Sequence, residues 1–240
     1  MNIQEFSDLM RDYGKEINIV FTEEQLQKFY QYMNLLIEWN EKINLTAIIE
    51  PKEIILKHFI DSLTIMKYIQ PNKSVIDIGT GAGFPGIPIK IMREDLNMTL
   101  LDSLNKRINF LNEVIKELEL ENIIAVHARI EEYAKNKQYR EKYDIATSRA
   151  VANLTTLSEY MLPMVSIEGT AICMKGSDVT DEIFKSKNSI KILGGKINKI
   201  EEFTLPKSDN KRNLIIIEKI EQTPNKYPRK PGMPSKDPLY

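Results

Sequence analysis

Apolar positions recur at helical spacing through the first 70 residues and then gather into short, strand-length runs. The segment Phe21-Thr22-Glu23-Glu24-Gln25-Leu26 has the form of a helix start. Thr22 is the N-cap, Gln25 three positions on closes a capping box, and Phe21 and Leu26 make a hydrophobic staple. Behind it Phe29, Met33, Leu36 and Ile37 form one apolar stripe reaching Trp39, read as core and not as a base-stacking platform. Pro51 suits the first position of another helix, which presents Ile54, Ile55, His58, Phe59, Ser62 and Leu63 on one face.

Beyond these helices the pattern changes. Residues 75–78, 98–101, 123–126, 143–146 and 170–174 are short apolar runs separated by helical stretches, the clearest over 105–120. That alternation predicts an α/β fold with a mostly parallel, doubly wound sheet and helices on both faces. Residues 197–203 and 214–220 follow with no clear helix between them, which predicts an antiparallel pair at one sheet edge. The last 17 residues hold five prolines, so they are expected to form an extended, polyproline-like tail. The expected organisation is a helical extension over 1–70, an α/β domain over 71–222 and the tail over 223–240.

Composition narrows the function classes. The lone cysteine, Cys173, cannot form an internal disulfide and fits a reducing compartment. The start Met1-Asn2-Ile3-Gln4-Glu5 has no leader character, and no apolar run nears the roughly 18 residues of a membrane span. A cytoplasmic protein is expected, without membrane contact, and nothing demands more than a monomer. His58, His127 and Cys173 are too scattered for metal-ligand spacing, and His127 reads as an ordinary strand-end residue. The net charge of −1 argues against whole-surface attraction to nucleic acid. From Thr223 onward, however, Lys226, Arg229, Lys230 and Lys236 face only Asp237, a local +3. Any RNA contact is therefore expected to be local, with Arg229, Lys230 and Lys236 as candidates. The alternative is a tail packed across the sheet.

The strongest chemical signal is Asp77-Ile78-Gly79-Thr80-Gly81-Ala82-Gly83-Phe84-Pro85-Gly86, a strand that enters a glycine turn and then a helix. Glycines there let the backbone turn with positive φ and approach a ligand closely, and the helix start offers unpaired N–H groups. Asp77, Gly79, Gly81 and Gly83 are the binding candidates. Gly81-x-Gly83-x-x-Gly86 by itself also satisfies the dinucleotide fingerprint, which leaves an NAD oxidoreductase open. The spacing Asp-x-Gly-x-Gly-x-Gly instead resembles motif I of the class I S-adenosylmethionine methyltransferases. Asp102, after the second strand, is placed to accept from ribose hydroxyls of either cofactor.

Five blocks occur in order: Trp39-Asn40-Glu41-Lys42-Ile43-Asn44-Leu45-Thr46, His58-Phe59-Ile60-Asp61-Ser62-Leu63, Gly81-Ala82-Gly83-Phe84-Pro85-Gly86, Ser148-Arg149-Ala150 and Arg229-Lys230-Pro231-Gly232. Together they closely resemble the bacterial RsmG (GidB) family, guanine-N7 methyltransferases of 16S ribosomal RNA, over nearly the whole chain. The resemblance implies a Rossmann-like class I methyltransferase fold with a seven-stranded sheet, the domain over 71–222 holding S-adenosylmethionine. It implies methyl transfer to N7 of a guanine in the decoding-region loop of the small subunit, with 16S RNA or the small ribosomal subunit as partner. Gly79 and Phe84 match loop positions on the cofactor, and Asp102 and Ser103 the acidic turn facing ribose. Ile130 and Glu131 match the segment beside adenine. Arg149 matches an arginine at the methyl-transfer pocket assigned to the cofactor, and Lys175 is implied as a neighbour of the substrate RNA; these two are the candidates on the catalytic side.

Plainer readings stay open beside these. Glu131-Glu132 could be a solvated helix start, Arg149 a structural ion-pair partner, and His58 with Asp61 a device that fixes their helix to the sheet. A catalytically silent RNA-binding protein could also use this fold. On chemical grounds guanine N7 carries an in-plane lone pair and no proton, so an enzyme acting there needs no general base, and the chain offers no convincing histidine–carboxylate pair. Cys173 lies in an apolar strand, unsuited to the covalent addition of a cytosine-C5 enzyme. The segment after the fourth strand lacks the Asn/Asp-Pro-Pro-Tyr/Phe of exocyclic-amine enzymes. The tail is expected to carry salt-dependent RNA affinity and to be dispensable for cofactor binding.

Overall fold

The structure, a computed structural model, describes residues 1–176 and 178–239. Asn2 and Thr22 each close a capping box, and α1 (Ile3–Glu16) and α2 (Glu23–Ile43) run from them, the second as its sequence predicts. Pro51 opens α3 (Pro51–Ile54), which passes through a π-helical segment, Ile55–Ile60, into α4 (Asp61–Leu63). The sequence pattern predicts one regular helix here. The wider π turn rotates the following side chains, so that Ile55, Leu56, His58, Phe59 and Ile60 are all buried in one short stretch.

The α/β part follows as β1 (Ser74–Ile78), α5 (Gly86–Met92), β2 (Asn97–Asp102), α6 (Asn105–Glu117), β3 (Ile123–His127), α7 (Ile130–Tyr133), β4 (Tyr143–Arg149), α8 (Leu154–Met161), β5 (Val165–Lys175), α9 (Thr180–Ile192), β6 (Gly195–Thr204) and β7 (Lys211–Lys219). The strand order is β3-β2-β1-β4-β5-β7-β6. β1 to β5 pair in parallel, while β7 lies antiparallel to both β5 and β6. The expected antiparallel pair is present, with β7 inserted inside β6. Parallel strands covered on both faces read as near-continuous apolar runs, which is why they stand out in the sequence.

Each sheet face carries its own apolar cluster. One joins α1, α2, α5 and α6, and the other α7, α8 and α9. In the first, the fully buried Phe59 ring lies 5.1 Å from Phe29, 5.4 Å from Tyr32, 6.1 Å from Phe84 and 6.3 Å from Phe6. The N-terminal helices are thereby packed against the residue that ends the glycine turn.

The tail departs from its expectation. It turns at Pro224–Tyr227, buries Tyr227 in the second cluster and ends in a short helix, α10 (Met233–Lys236). Prolines remove N–H donors but leave carbonyls that need partners. Arg140 donates to the carbonyls of Thr223 and Tyr227, and the Thr156 hydroxyl to that of Pro234. Side chains of the domain thus replace a strand ladder.

Phe59→Ala is expected to cost about 3–5 kcal/mol through the cavity it leaves. Urea unfolding with an unchanged m-value checks this. A loss below about 1 kcal/mol would show that α1 to α4 do not share the core of the sheet.

Candidate active site

β1 and β4 are neighbours whose connections leave in opposite directions along the sheet, and a ligand crevice forms at such a switch point. The glycine turn sits there, held from behind. Fully buried Asp77 accepts through Oδ2 from the Thr80 hydroxyl (2.6 Å) and the Gly86 N–H (2.9 Å), and the Tyr32 hydroxyl donates to the Ala82 carbonyl. The first N–H of α5 is therefore spent on Asp77, which corrects the expectation that the helix start is free for a ligand. Gly79 and Gly81 border the crevice with φ of 67° and 62°. A Cβ on Gly81 would meet nothing within 4 Å, whereas one on Gly83 would strike Ile87 and the Tyr32 hydroxyl at 2.8 Å. Gly83 and Asp77 shape the turn and do not line the crevice.

The crevice has two parts. A cavity of about 440 Å³ is bounded by Thr46, His58, Phe84, Arg107 and Arg149 among others. A smaller one of about 170 Å³ continues over Ile130, Glu131 and Tyr160. Gly79, Asp102, Ser103 and Val151 border both. The Asp102 carboxylate at this junction accepts from the N–H groups of Gly81 and Leu104 (each 2.9 Å) and from Arg107 (3.1 Å). Arg107 escapes sequence reasoning, because its role depends on a helix turn bringing it back to Asp102. Its Nε is buried without a partner among the described residues. An open glycine, a carboxylate at the junction and an unsatisfied guanidinium donor fit a nucleoside-bearing cofactor.

Arg149 closes the other end. It donates to the Lys57 carbonyl (2.8 Å), to Asp61 Oδ2 (3.3 Å) and to His58 Nδ1 (3.0 Å). Its guanidinium lies 5.0 Å from the centre of the Phe84 ring, on which His58 also stacks at 4.4 Å. Arginine only donates, so His58 Nδ1 is inferred to be the acceptor and Nε2 to carry the proton toward Thr46 Oγ1 at 2.9 Å. Burial, reinforced by Arg149, lowers the His58 pKa to about 3, so the ring is neutral. Arg149 is thus an ion-pair partner of Asp61 that also lines the crevice. Lys175 is nearly buried, with Nζ on the Ala152 carbonyl and 2.7 Å from Glu182. Cys173 faces neither cavity, and burial pushes its thiol up to about 12.

The tail meets the smaller cavity. Arg229 grips Glu159, itself 1% exposed, through Nε and Nη2 at 2.7–3.1 Å, and the Gly232 N–H donates to Glu131 (2.9 Å). Glu131 is accordingly buried and not a solvated helix start. Arg229 is committed within the fold, while Lys230 and Lys236 have no side-chain partner among the described residues. The docked tail therefore takes the alternative left open by the sequence.

The chain matches the GidB family, rRNA small subunit methyltransferase G, over residues 25–215. It is 53% identical over 232 residues to the ribosomal RNA small subunit methyltransferase G of Desulforamulus reducens, covering 96% of this chain and 97% of that one. Its identity to the protein of the same name from Clostridium botulinum is 54% over 237 residues, covering 98% and 99%. In three dimensions it is similar to a SAM-dependent methyltransferase from Aquifex aeolicus, with a TM-score of 0.52 and 14% identity over 70% of this chain and 93% of that one. That likeness is one of fold.

Arg229→Met strands a buried carboxylate and is expected to cost roughly 3 kcal/mol. Urea unfolding reads the loss, and calorimetry with S-adenosylhomocysteine reads weaker binding as Glu131 loses its tail contact. An unaltered midpoint and affinity would return the tail to a peripheral role. Burial also raises the Asp77 carboxyl to about 6, against the pull of Thr80 and Gly86. The folded state thus holds this proton more tightly than the unfolded one, so stability from this group falls as pH rises from about 4 to about 6. Asp77→Asn removes the penalty, so its melting temperature relative to wild type is expected to rise between about pH 4.5 and pH 7.5. A pH-independent difference would contradict the raised pKa.

Proposed function

This chain belongs to the rRNA small subunit methyltransferase G family, and from that premise we propose that it methylates N7 of a guanine in the 16S RNA of the small ribosomal subunit. It is an S-adenosylmethionine-dependent enzyme that methylates ribosomal RNA. The cofactor supplies an electrophilic methyl carbon on a sulfonium. In our reading Gly79, Gly81 and Phe84 border it, Asp102 and Ser103 take the ribose, Ile130 and Glu131 flank the adenine, and Arg149 sits at the transfer end. Lys175 stands on the RNA side, with Lys230 and Lys236 as outer phosphate contacts. The expected setting is the cytoplasm, and the decoding-region loop is the target the resemblance implies.

One observation supports the choice of N7: the groups at the transfer end that could accept a proton are already engaged, its carboxylate Asp61 by Arg149 and Arg212. Both His58 nitrogens are engaged, Nδ1 by Arg149 and Nε2 by Thr46, and the ring stays neutral. Arg149 only donates, and Lys175 is held on the Ala152 carbonyl and Glu182. The single thiol is buried and protonated. Carbon or exocyclic-amine methylation needs a covalent partner or a proton acceptor, whereas N7 presents a free lone pair. What the residues supply is orientation, worth up to roughly 7–11 kcal/mol for well-placed reactants.

Transfer of tritiated methyl to small-subunit RNA, naked and as 30S particles, followed by nucleoside digestion, is expected to put the label in 7-methylguanosine. The rate constant kcat is expected to be flat above about pH 7, since no general base titrates there. Label in another nucleoside, or an ascending limb near neutrality, would sink the N7 reading.

A further inference from the structure

A second cavity, of about 320 Å³, adjoins the cofactor crevice, and His58, Arg149 and Ala150 line both. Its charge is unbalanced. Arg149 and Arg212 share one carboxylate, Asp61, with Arg212 Nε 3.1 Å from each of its oxygens and Arg149 Nη1 3.3 Å from Oδ2. Lys57 and Lys175 also line the cavity, each paired to a carboxylate outside the lining, Glu53 and Glu182, and Asp61 is the sole anion among its lining residues. Asp61 is 3% exposed and cannot neutralise two guanidinium groups by itself. Arg212 Nη1 is satisfied by the Lys211 carbonyl, and Nη2 has no partner among the described residues. An unpaired donor on a partly exposed, fork-shaped cation is what a phosphate oxygen accepts from. The lining also includes apolar Ile48 and Met174. At Ala150, on the boundary, φ is 56°, a left-handed conformation that costs a non-glycine residue roughly 1 kcal/mol or more and that turns the chain away between the cavities.

We propose that this cavity receives the purine nucleotide to be methylated, its base against Ile48 and Met174 and its flanking phosphate on Arg212 and Lys57. This rests on the reading of the chain as a guanine methyltransferase and adds where the substrate enters. The wall of His58 and Arg149 sets the direction from which the base meets the methyl group. Asp61, held to both arginines, is a positioning residue that couples the phosphate contact to Arg149. With Lys57 paired to Glu53 and Lys175 to Glu182, the uncompensated charge is that of the two arginines sharing Asp61, and the diester of an RNA chain supplies the missing negative charge as a free base would not.

The test compares wild type with Arg212→Gln, Lys57→Gln, Ile48→Glu and a control, Lys207→Gln, whose cation at the β6–β7 turn lies outside both cavities. Methyl transfer to 30S particles is measured across a salt series, and S-adenosylhomocysteine affinity is measured by calorimetry. Arg212→Gln and Lys57→Gln are expected to raise KM about tenfold and to flatten log KM against log salt by about 0.7 per lost contact, with cofactor affinity unchanged. Ile48→Glu is expected to raise KM with the slope preserved, which keeps the assignment testable if Arg212→Gln unfolds. Variants that keep the control's KM and slope overturn the assignment, as does a loss of cofactor affinity equal to the loss of RNA affinity. Wild-type enzyme that labels no RNA would instead remove the guanine reading itself, a different failure.

Discussion

A guanidinium only 15% exposed lies where the two cavities meet, and its surroundings are built to answer that charge. The desolvation of such an ion costs several kcal/mol unless carboxylate and carbonyl partners offset it. Arg149 draws those partners from the helical run of α3 and α4: Asp61, the Lys57 carbonyl and His58 Nδ1. Fixing Nδ1 as an acceptor sends the His58 proton to Thr46. Thr46 also accepts from the Ile48 N–H, and Asn40 holds the N–H groups of Leu45 and Thr46. One charge on β4 thereby organises the loop after α2, which walls the crevice. Leu45, Thr46 and His58, all within the first 70 residues, thus line the crevice.

The rest of the site is stiffened from regions distant in sequence. Tyr32 on α2 bonds the glycine turn, Asp77 folds that turn back on α5, and the tail fastens Glu131 from the far end of the chain. The cavities themselves are lined with groups already engaged with one another. Such an arrangement favours catalysis by preorganisation, in which little moves when the reactants arrive.

Much of this was legible in the sequence. The parallel strands announced themselves because burial on both faces makes them apolar throughout, and the cap at Thr22 and the proline opening a helix at Pro51 obey local rules. The glycine turn and the position of Asp102 followed from strand-end spacing. What escaped were properties of the folded state. The π segment at Ile55–Ile60 arises from packing that no 3.6-residue pattern encodes. Arg107, Arg212 and Ile48 carry no motif and gain meaning only when elements far apart in sequence meet. Five prolines and four cations looked like a solvated arm because composition cannot reveal that Glu159, seventy positions earlier, waits buried for Arg229.

The latch between Arg229 and Glu159 gives the chain a direction in time. Proteins emerge from synthesis amino end first, and by the time β1 to β5 exist the glycine turn and Asp102 can already come together. The wall at Glu131 stays unsupported until residues 229–232 have been made and have folded back. Completion of this wall therefore waits on a segment made about a hundred residues after Glu131 itself.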